Sequence, residues 1–188
     1  MKTLTELYEG RKGTDKLTDH SYVPMYDMLM RDFPGSMLEI GVSGGGSIAV
    51  WSEWFQNRDD KQTEVVLAAD NKQSAVDRVS HLPNVRSFCG NAYCNDLTNW
   101  LNEMPDLGCI VDDGPHSVST QAWALMHLWK YLLPGGLIII EDVRKPEALI
   151  MEMRCLGLVD QIANSMLIDL RHCKGKEDDV LFVVRKPQ

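Results

Sequence analysis

Seven short apolar runs divide the chain, at Met37–Ile40, Glu64–Asp70, Asn84–Cys89, Leu107–Val111, Leu137–Ile140, Met166–Leu170 and Val180–Val184, and segments of helical periodicity separate the first five. Runs of four to seven residues with no polar alternation read as strands buried on both faces, and helices between them read as crossovers. Tyr22–Phe33, Ser47–Phe55, Gln73–Leu82, Asn95–Met104, Ser117–Leu133 and Glu147–Leu156 carry the helical spacing, and Pro134-Gly135-Gly136 is expected to stop the fifth of these. The polar stretch Lys174–Asp179 between the last two runs reads as a hairpin turn. The expectation is an α/β, doubly wound sheet of seven strands with its last strand antiparallel. Ligands of such sheets bind outside the carboxyl ends of the strands, so the residues closing each run are the ones to weigh.

At 188 residues the chain is expected to form one domain over 1–188, with 1–34 as a helical N-terminal segment. Its 27 acidic residues against 19 Lys and Arg leave no broad basic face for a phosphate backbone, so no nucleic acid is expected as a partner. Cys89, Cys94, Cys109, Cys155 and Cys173 are odd in number and lack C-x-x-C spacing, which fits core thiols in a reducing compartment. No apolar run approaches the roughly 18 residues of a membrane span, and no signal core is evident. A cytoplasmic protein without a membrane partner is expected.

Three strand ends carry chemistry. The first run leads into Glu39-Ile40-Gly41-Val42-Ser43-Gly44-Gly45-Gly46-Ser47, a glycine loop opening a helix, where missing Cβ atoms permit close backbone approach to a ligand. Ser43 stands where a G-x-G-x-x-G fingerprint has its second glycine, which argues against a dinucleotide and for another nucleoside. A plain strand-to-helix turn would need fewer glycines. Asp70, followed by Asn71, closes the second run about 30 residues further on, placed to accept ribose hydroxyls; strand ends also carry Asp for turn chemistry alone. The fourth and fifth runs end in Asp112-Asp113-Gly114-Pro115-His116 and Glu141-Asp142. Neighbouring strands lie only about 4.8 Å apart, so four acids and an imidazole on adjacent strands would share one small cation. Either cluster alone reads equally as a polar turn or a satisfied surface histidine.

With these residues in view, the chain resembles class I S-adenosylmethionine-dependent methyltransferases, whose fold is Rossmann-like. Glu39-Ile40-Gly41 and the following glycines resemble their first motif, Asp70 the acid that holds the ribose, and Gly90-Asn91-Ala92 the loop near the adenine. In that fold the first, fourth and fifth strands are neighbours, which would bring the two acidic clusters together. The chain further resembles metal-dependent sugar O-methyltransferases of macrolide biosynthesis, with cephalosporin hydroxylase-like relatives. Gly13-Thr14-Asp15-Lys16 with His20 and Tyr22, Gly45-Gly46-Ser47 with Trp51, the Asp112–His116 run and Glu141-Asp142 carry that resemblance. Pro115 departs from the Ser usual there, and Asn91 from an Asp.

The resemblance implies an O-methyltransferase using S-adenosylmethionine on a hydroxylated small molecule, a sugar or glycoside. It implies Mg²⁺, or Mn²⁺, on Asp113, Glu141 and Asp142, with His116 as general base. It implies the cofactor against Glu39, Gly41, Ser43, Gly45, Ser47, Asp70, Asn71, Asn91, Ala92 and Asp112. Hard oxygen ligands suit Mg²⁺, and an imidazole near its unperturbed pKa of about 6.5 suits proton transfer. Asp15, Lys16, His20 and Tyr22 read equally as a pocket cover or a solvated helix start. Trp51, Trp54, Trp123, Trp129 and His127 read as core or as the face of a homo-oligomer, and His81 and His172 carry no signal. Other classes share some of these features: a nicotinamide-dependent oxidoreductase, a 2-oxoglutarate hydroxylase, which needs a second histidine on its iron, and a non-catalytic cofactor-binding module.

Overall fold

The computed structural model describes residues 2–31, 34–58 and 64–188. Seven strands form one sheet: β1 (Ser36–Ile40), β2 (Val66–Asp70), β3 (Val85–Cys89), β4 (Leu107–Asp112), β5 (Leu132–Ile140), β6 (Ser165–Asp169) and β7 (Val180–Arg185). Their order is β3-β2-β1-β4-β5-β7-β6, with β7 antiparallel to both neighbours, which agrees with the expected antiparallel last strand and with the neighbouring first, fourth and fifth strands that the resemblance implies. Helices α1 (Leu4–Tyr8), α2 (Val23–Leu29), α3 (Gly46–Gln56), α4 (Gln73–Val79), α5 (Asn95–Leu101), α6 (Val118–His127), α7 (Pro146–Cys155), α8 (Val159–Ala163) and α9 (Arg171–Lys174) surround it. Among the described residues no helix is long and apolar enough to cross a membrane.

The period of two along each strand divides the core between the faces. Met37, Val66, Ala68, Cys109, Val111, Leu137 and Ile139 point to one face, where they pack with α1, α2 and α3. Leu38, Ile40, Leu67, Ala69, Ile110, Ile138 and Ile140 point to the other, beneath α5, α6 and α7. The N-terminal segment is stitched into the first of these layers. Trp51 meets Tyr8 and Tyr26 edge to face with centroids 5.8 and 5.5 Å apart. Asp27 on α2 accepts from Leu4 N at 2.6 Å and Thr5 N at 3.2 Å, satisfying two donors that the start of α1 leaves open.

Several boundaries depart from the sequence reading. Helical spacing continues to Leu133, yet α6 stops at His127 and a 3-10 turn, Trp129–Tyr131, leads into β5, because Leu132 pairs with Leu107 of β4. Pro134-Gly135-Gly136 therefore lies inside β5 rather than ending a helix. The predicted helix to Phe33 is observed over Val23–Leu29, and its positions Asp32 and Phe33 lie outside the described residues. Helix α8, five residues long, is too short to show periodicity. Helix α9 replaces part of a simple hairpin, since Lys174 donates to the carbonyls of Leu17, Thr18 and His20.

The topology sets the site. β1 lies between β2 and β4, so the crossovers diverge there and leave a crevice at the carboxyl ends. The ends of three strands align, with Ile40 paired to Asp112 and Asp112 to Ile140. Asp113 N donates to Ile40 O at 2.9 Å, and Glu141 N to Asp112 O at 3.0 Å. The two acidic clusters are neighbours.

Candidate active site

Gly41 follows β1 with φ +98°, and a Cβ there would lie 2.1 Å from the Asp113 carbonyl oxygen. Glycine is thus required where the first strand passes the fourth. The segment holding Gly13 closes over the loop: Gly46 N donates to Gly13 O at 3.0 Å, and a Cβ on Gly13 would meet Gly44 O at 2.8 Å. Beneath the loop Glu39 is fully buried, accepting from Ser47 Oγ at 2.7 Å and from Trp51 Nε1. Burial raises its pKa, and Lys16 opposes that rise.

A cleft of about 750 Å³ opens between the glycine loop and the ends of β2 and β3, a size that suits a nucleoside-based ligand. Gly41, Ser43, Asp70, Asn71, Asn91 and Ala92 of the expected cofactor set all line it, and Asp113 forms its lip. Ser47 lines a smaller adjoining recess of about 220 Å³ with Thr14 and Asp15, while Gly45 faces away beside Val79. Glu39 and Asp112 lie in the interior.

The Asp70 carboxylate accepts from Val42 N at 2.9 Å, Ser43 N at 3.2 Å and Lys72 N at 2.8 Å. Three of roughly four lone-pair positions are thereby taken, leaving acceptor capacity for one ligand hydroxyl rather than two. Asn91 Oδ1 accepts from Tyr93 N at 3.0 Å and folds the loop back, so that the Tyr93 hydroxyl donates to Asp112. Burial pushes the Asp112 carboxyl up to about 7 against the Tyr93 hydrogen bond, and its Oδ2 has no hydrogen-bond partner.

At the lip, Asp113, His116 and Asp142 converge, each offering a ligand atom within 4.8 Å of the others. His116 Nε2 lies 3.4 Å from Asp142 Oδ2. Both residues are left-handed, at φ 56° and 52°, a conformation that non-glycine residues hold only when their surroundings impose it. Burial raises the Asp142 pKa, with a hydrogen bond from Tyr22 opposing.

The structure does not bring Glu141 into this group. Its carboxylate is turned inward, accepting from Lys16 Nζ at 2.6 Å and from the Tyr26 hydroxyl. Burial lifts it to about 7 despite the lysine. Lys16, itself 1 % exposed, also reaches Asp113 Oδ2 at 2.7 Å and Glu39 Oε1 at 3.4 Å. Burial would lower its pKa, but the three carboxylates hold it well above the ordinary lysine value. The centrality of Lys16, and the parts of Tyr26 and Tyr93, escape sequence reasoning; the Gly13–Lys16 motif was the only available signal for the lysine.

A family model described as a methyltransferase domain matches residues 38–143, from β1 through the acids that follow β5. The chain belongs to this family.

Among curated methyltransferases, an 8-demethyl-8-alpha-L-rhamnosyl tetracenomycin-C 2'-O-methyltransferase of Streptomyces olivaceus is 26 % identical over 144 residues, covering 71 % of this chain and 36 % of that protein. A mycinamicin VI 2''-O-methyltransferase of Micromonospora griseorubida is 27 % identical over 137 residues, covering 66 % and 32 % respectively. The chain thus spans about a third of the length of these relatives. Its fold is shared with the methyltransferase MycE, solved in complex with Mg and SAH, at TM-score 0.72 and 23 % identity over 99 % of this chain and 55 % of that one. The expected class I methyltransferase fold and family are what these comparisons show.

Proposed function

We propose that this methyltransferase-family chain transfers a methyl group from S-adenosylmethionine to a hydroxyl of a sugar or glycoside, with a divalent cation, Mg²⁺ or Mn²⁺, at the acceptor side. The observation that carries the proposal is the Asp113–His116–Asp142 cluster standing at the lip of the glycine-loop cleft. The curated relatives, both O-methyltransferases by name and one of them acting on a rhamnosyl tetracenomycin, support the acceptor class.

The residues fit both groups. The cleft has a floor of backbone in place of side chains at Gly41, an acid with one free acceptor position at Asp70, and the polar Asn71 and Asn91 on its rim. Asp113 and Asp142 are hard oxygen donors and would hold the cation, whereas Glu141 is retained by Lys16 and Tyr26. When bound, the two groups supply an activated sulfonium methyl and a Lewis acid that acidifies a coordinated hydroxyl. The chain's own contributions are then separable. Asp70 and the loop amides it gathers would hold the nucleoside end, in the same cleft that Asp113 lines. His116, within reach of Asp113, takes the proton of the acceptor hydroxyl. Asp142 Oδ2 beside Nε2 steadies the imidazolium that results. Much of the rate gain comes from holding donor and acceptor in line, which contributes up to about 7–11 kcal/mol in well-oriented systems.

Calorimetric titration of S-adenosylmethionine and of NAD, with and without Mg²⁺, into the native protein and Asp113→Ala tests the reading. Binding of S-adenosylmethionine to both proteins, with cation binding confined to the native one, is expected. Tight binding of NAD with no binding of S-adenosylmethionine would overturn the proposal and favour the nicotinamide-dependent reading.

A further inference from the structure

His20, Tyr22 and Asp179 form a buried polar group behind the carboxylate cluster that no step above employs. Tyr22 is fully buried, and its hydroxyl oxygen lies 2.5 Å from Asp142 Oδ1 and 2.9 Å from Asp178 O, so its one proton serves Asp142 first. The same oxygen accepts from Asp142 N at 3.3 Å. One phenol therefore grips both the side chain and the backbone of a residue held at φ 52°. The His20 ring stacks on Tyr22, centroids 4.8 Å apart, and sets its Nδ1 3.6 Å from both Asp142 Oδ1 and Asp179 Oδ1. Asp179, 0 % exposed, is fixed by Ser21 N at 3.0 Å, and Lys174 Nζ donates to His20 O at 2.6 Å.

The clamp is therefore built by the N-terminal segment and the β6–β7 connection, and it closes on one oxygen of Asp142. The other, Oδ2, is the one presented to His116. Buried polar atoms are almost always hydrogen-bonded, yet His20 Nδ1 and Asp179 Oδ2 have no hydrogen-bond partner. Apolar side chains of similar size would have filled this space without desolvating either group. Their place around Asp142 fits a task in orienting it.

We infer that Tyr22 and His20, backed by Asp179, are positioning residues that fix the Asp142 carboxylate, and with it the cation-binding geometry of the cluster. The inference rests on the metal-dependent reading above. Hydrogen-bond partners of metal ligands typically contribute about 10–100-fold to metal affinity, which sets the effect to look for.

The test titrates Mn²⁺ alone, and S-adenosylmethionine alone, into the wild type, Tyr22→Phe, His20→Ala and His20→Gln, with a thermal melt of each. Tyr22→Phe removes one oxygen from a packed ring. It is expected to weaken Mn²⁺ about 10–100-fold while S-adenosylmethionine affinity and the melt stay near wild type. His20→Ala is expected to weaken Mn²⁺ as well, and His20→Gln, which keeps a donor, to recover part of the loss. A merely structural role would move the melt and both ligands together, and that result would overturn the inference. Equal Mn²⁺ affinity in the wild type and in folded Tyr22→Phe would overturn it while leaving the function intact. A wild-type protein that binds no Mn²⁺ would remove the metal reading and this inference with it.

Discussion

Lys16 places its ammonium 2.6 Å from Glu141 Oε2 and 2.7 Å from Asp113 Oδ2, joining the N-terminal segment to the ends of β5 and β4 in the interior of the molecule. With Glu39 at 3.4 Å, three carboxylates depend on one cation. Removing one partner of a buried ion pair leaves the other charge desolvated and costs about 3–5 kcal/mol. Lys16→Met is expected to lose stability on that scale in urea unfolding at neutral pH. The loss should be larger at pH 9 and part of it should return by pH 6, because Glu141, lifted to about 7 even with the lysine opposing, rises further without Lys16 and once protonated needs no counter-charge. A loss equally large at both pH values would show that packing, and not charge, is what Lys16 supplies.

Asp112 gives a separate pH signature. Its folded carboxyl sits at about 7, raised from 3.8 chiefly by burial. For a carboxylate raised in this way the native state binds the extra proton, so its stabilising contribution is complete below about pH 4 and is lost as pH rises through 7. At about 1.4 kcal/mol per unit, the loss between pH 4 and 8 is at most about 4 kcal/mol. Asp112→Asn keeps an oxygen for the Tyr93 hydroxyl and cannot ionise. Measured in EDTA by urea unfolding, the stability of Asp112→Asn relative to wild type should rise from pH 5 to about pH 7 and level off above it. A difference that stays flat would mean that Asp112 is ionised throughout.

The strands themselves were legible as short apolar runs separated by helical spacing, and β4 and β5 as runs closing on acids, whereas the meeting of the two acidic clusters was expected only from the family resemblance, which makes the first, fourth and fifth strands neighbours. The division of labour inside Glu141-Asp142 was not legible. Glu141 stays turned to the interior and meets Tyr26, while Asp142 turns left-handed and swings out to His116, a difference of backbone that two adjacent acids do not announce. Lys16 was legible only as one of two equal readings, a pocket cover or a solvated helix start. In a polar N-terminal stretch a lysine reads as solvated, and only contacts 97 and 125 residues away in sequence reveal it as a buried counter-ion. The early end of α6 has the same origin, since the pairing of Leu132 with Leu107 overrides local helical spacing.

Asp70 organises the cleft before any ligand arrives. Because its carboxylate gathers Val42 N, Ser43 N and Lys72 N, Asp70→Ala should release the glycine loop as well as remove a ribose contact. Hydrogen bonds to a charged group contribute about 1.5–3 kcal/mol each, so S-adenosylmethionine affinity should fall by at least tenfold. Faster amide hydrogen exchange at Val42 and Ser43 in the unliganded variant would accompany it. Weakened binding with unchanged exchange would confine Asp70 to direct ligand contact.

Gly41 tests whether the two halves of the site are mechanically joined. Its φ of +98° strains any L side chain, and the Cβ of alanine would stand 2.1 Å from the Asp113 carbonyl oxygen, so Gly41→Ala must push the β1 and β4 ends apart. Strain of this kind costs on the order of 1–3 kcal/mol before the clash is counted. Gly41 itself lines the nucleoside cleft, so a side chain there narrows it, while the displaced Asp113 belongs to the cation cluster. Gly41→Ala is therefore expected to weaken S-adenosylmethionine and Mn²⁺ together, in contrast to Asp113→Ala, which should remove the cation alone. Calorimetry on the two variants separates these outcomes. Loss of S-adenosylmethionine with full Mn²⁺ affinity in Gly41→Ala would mean that the cation cluster does not depend on the β1–β4 contact.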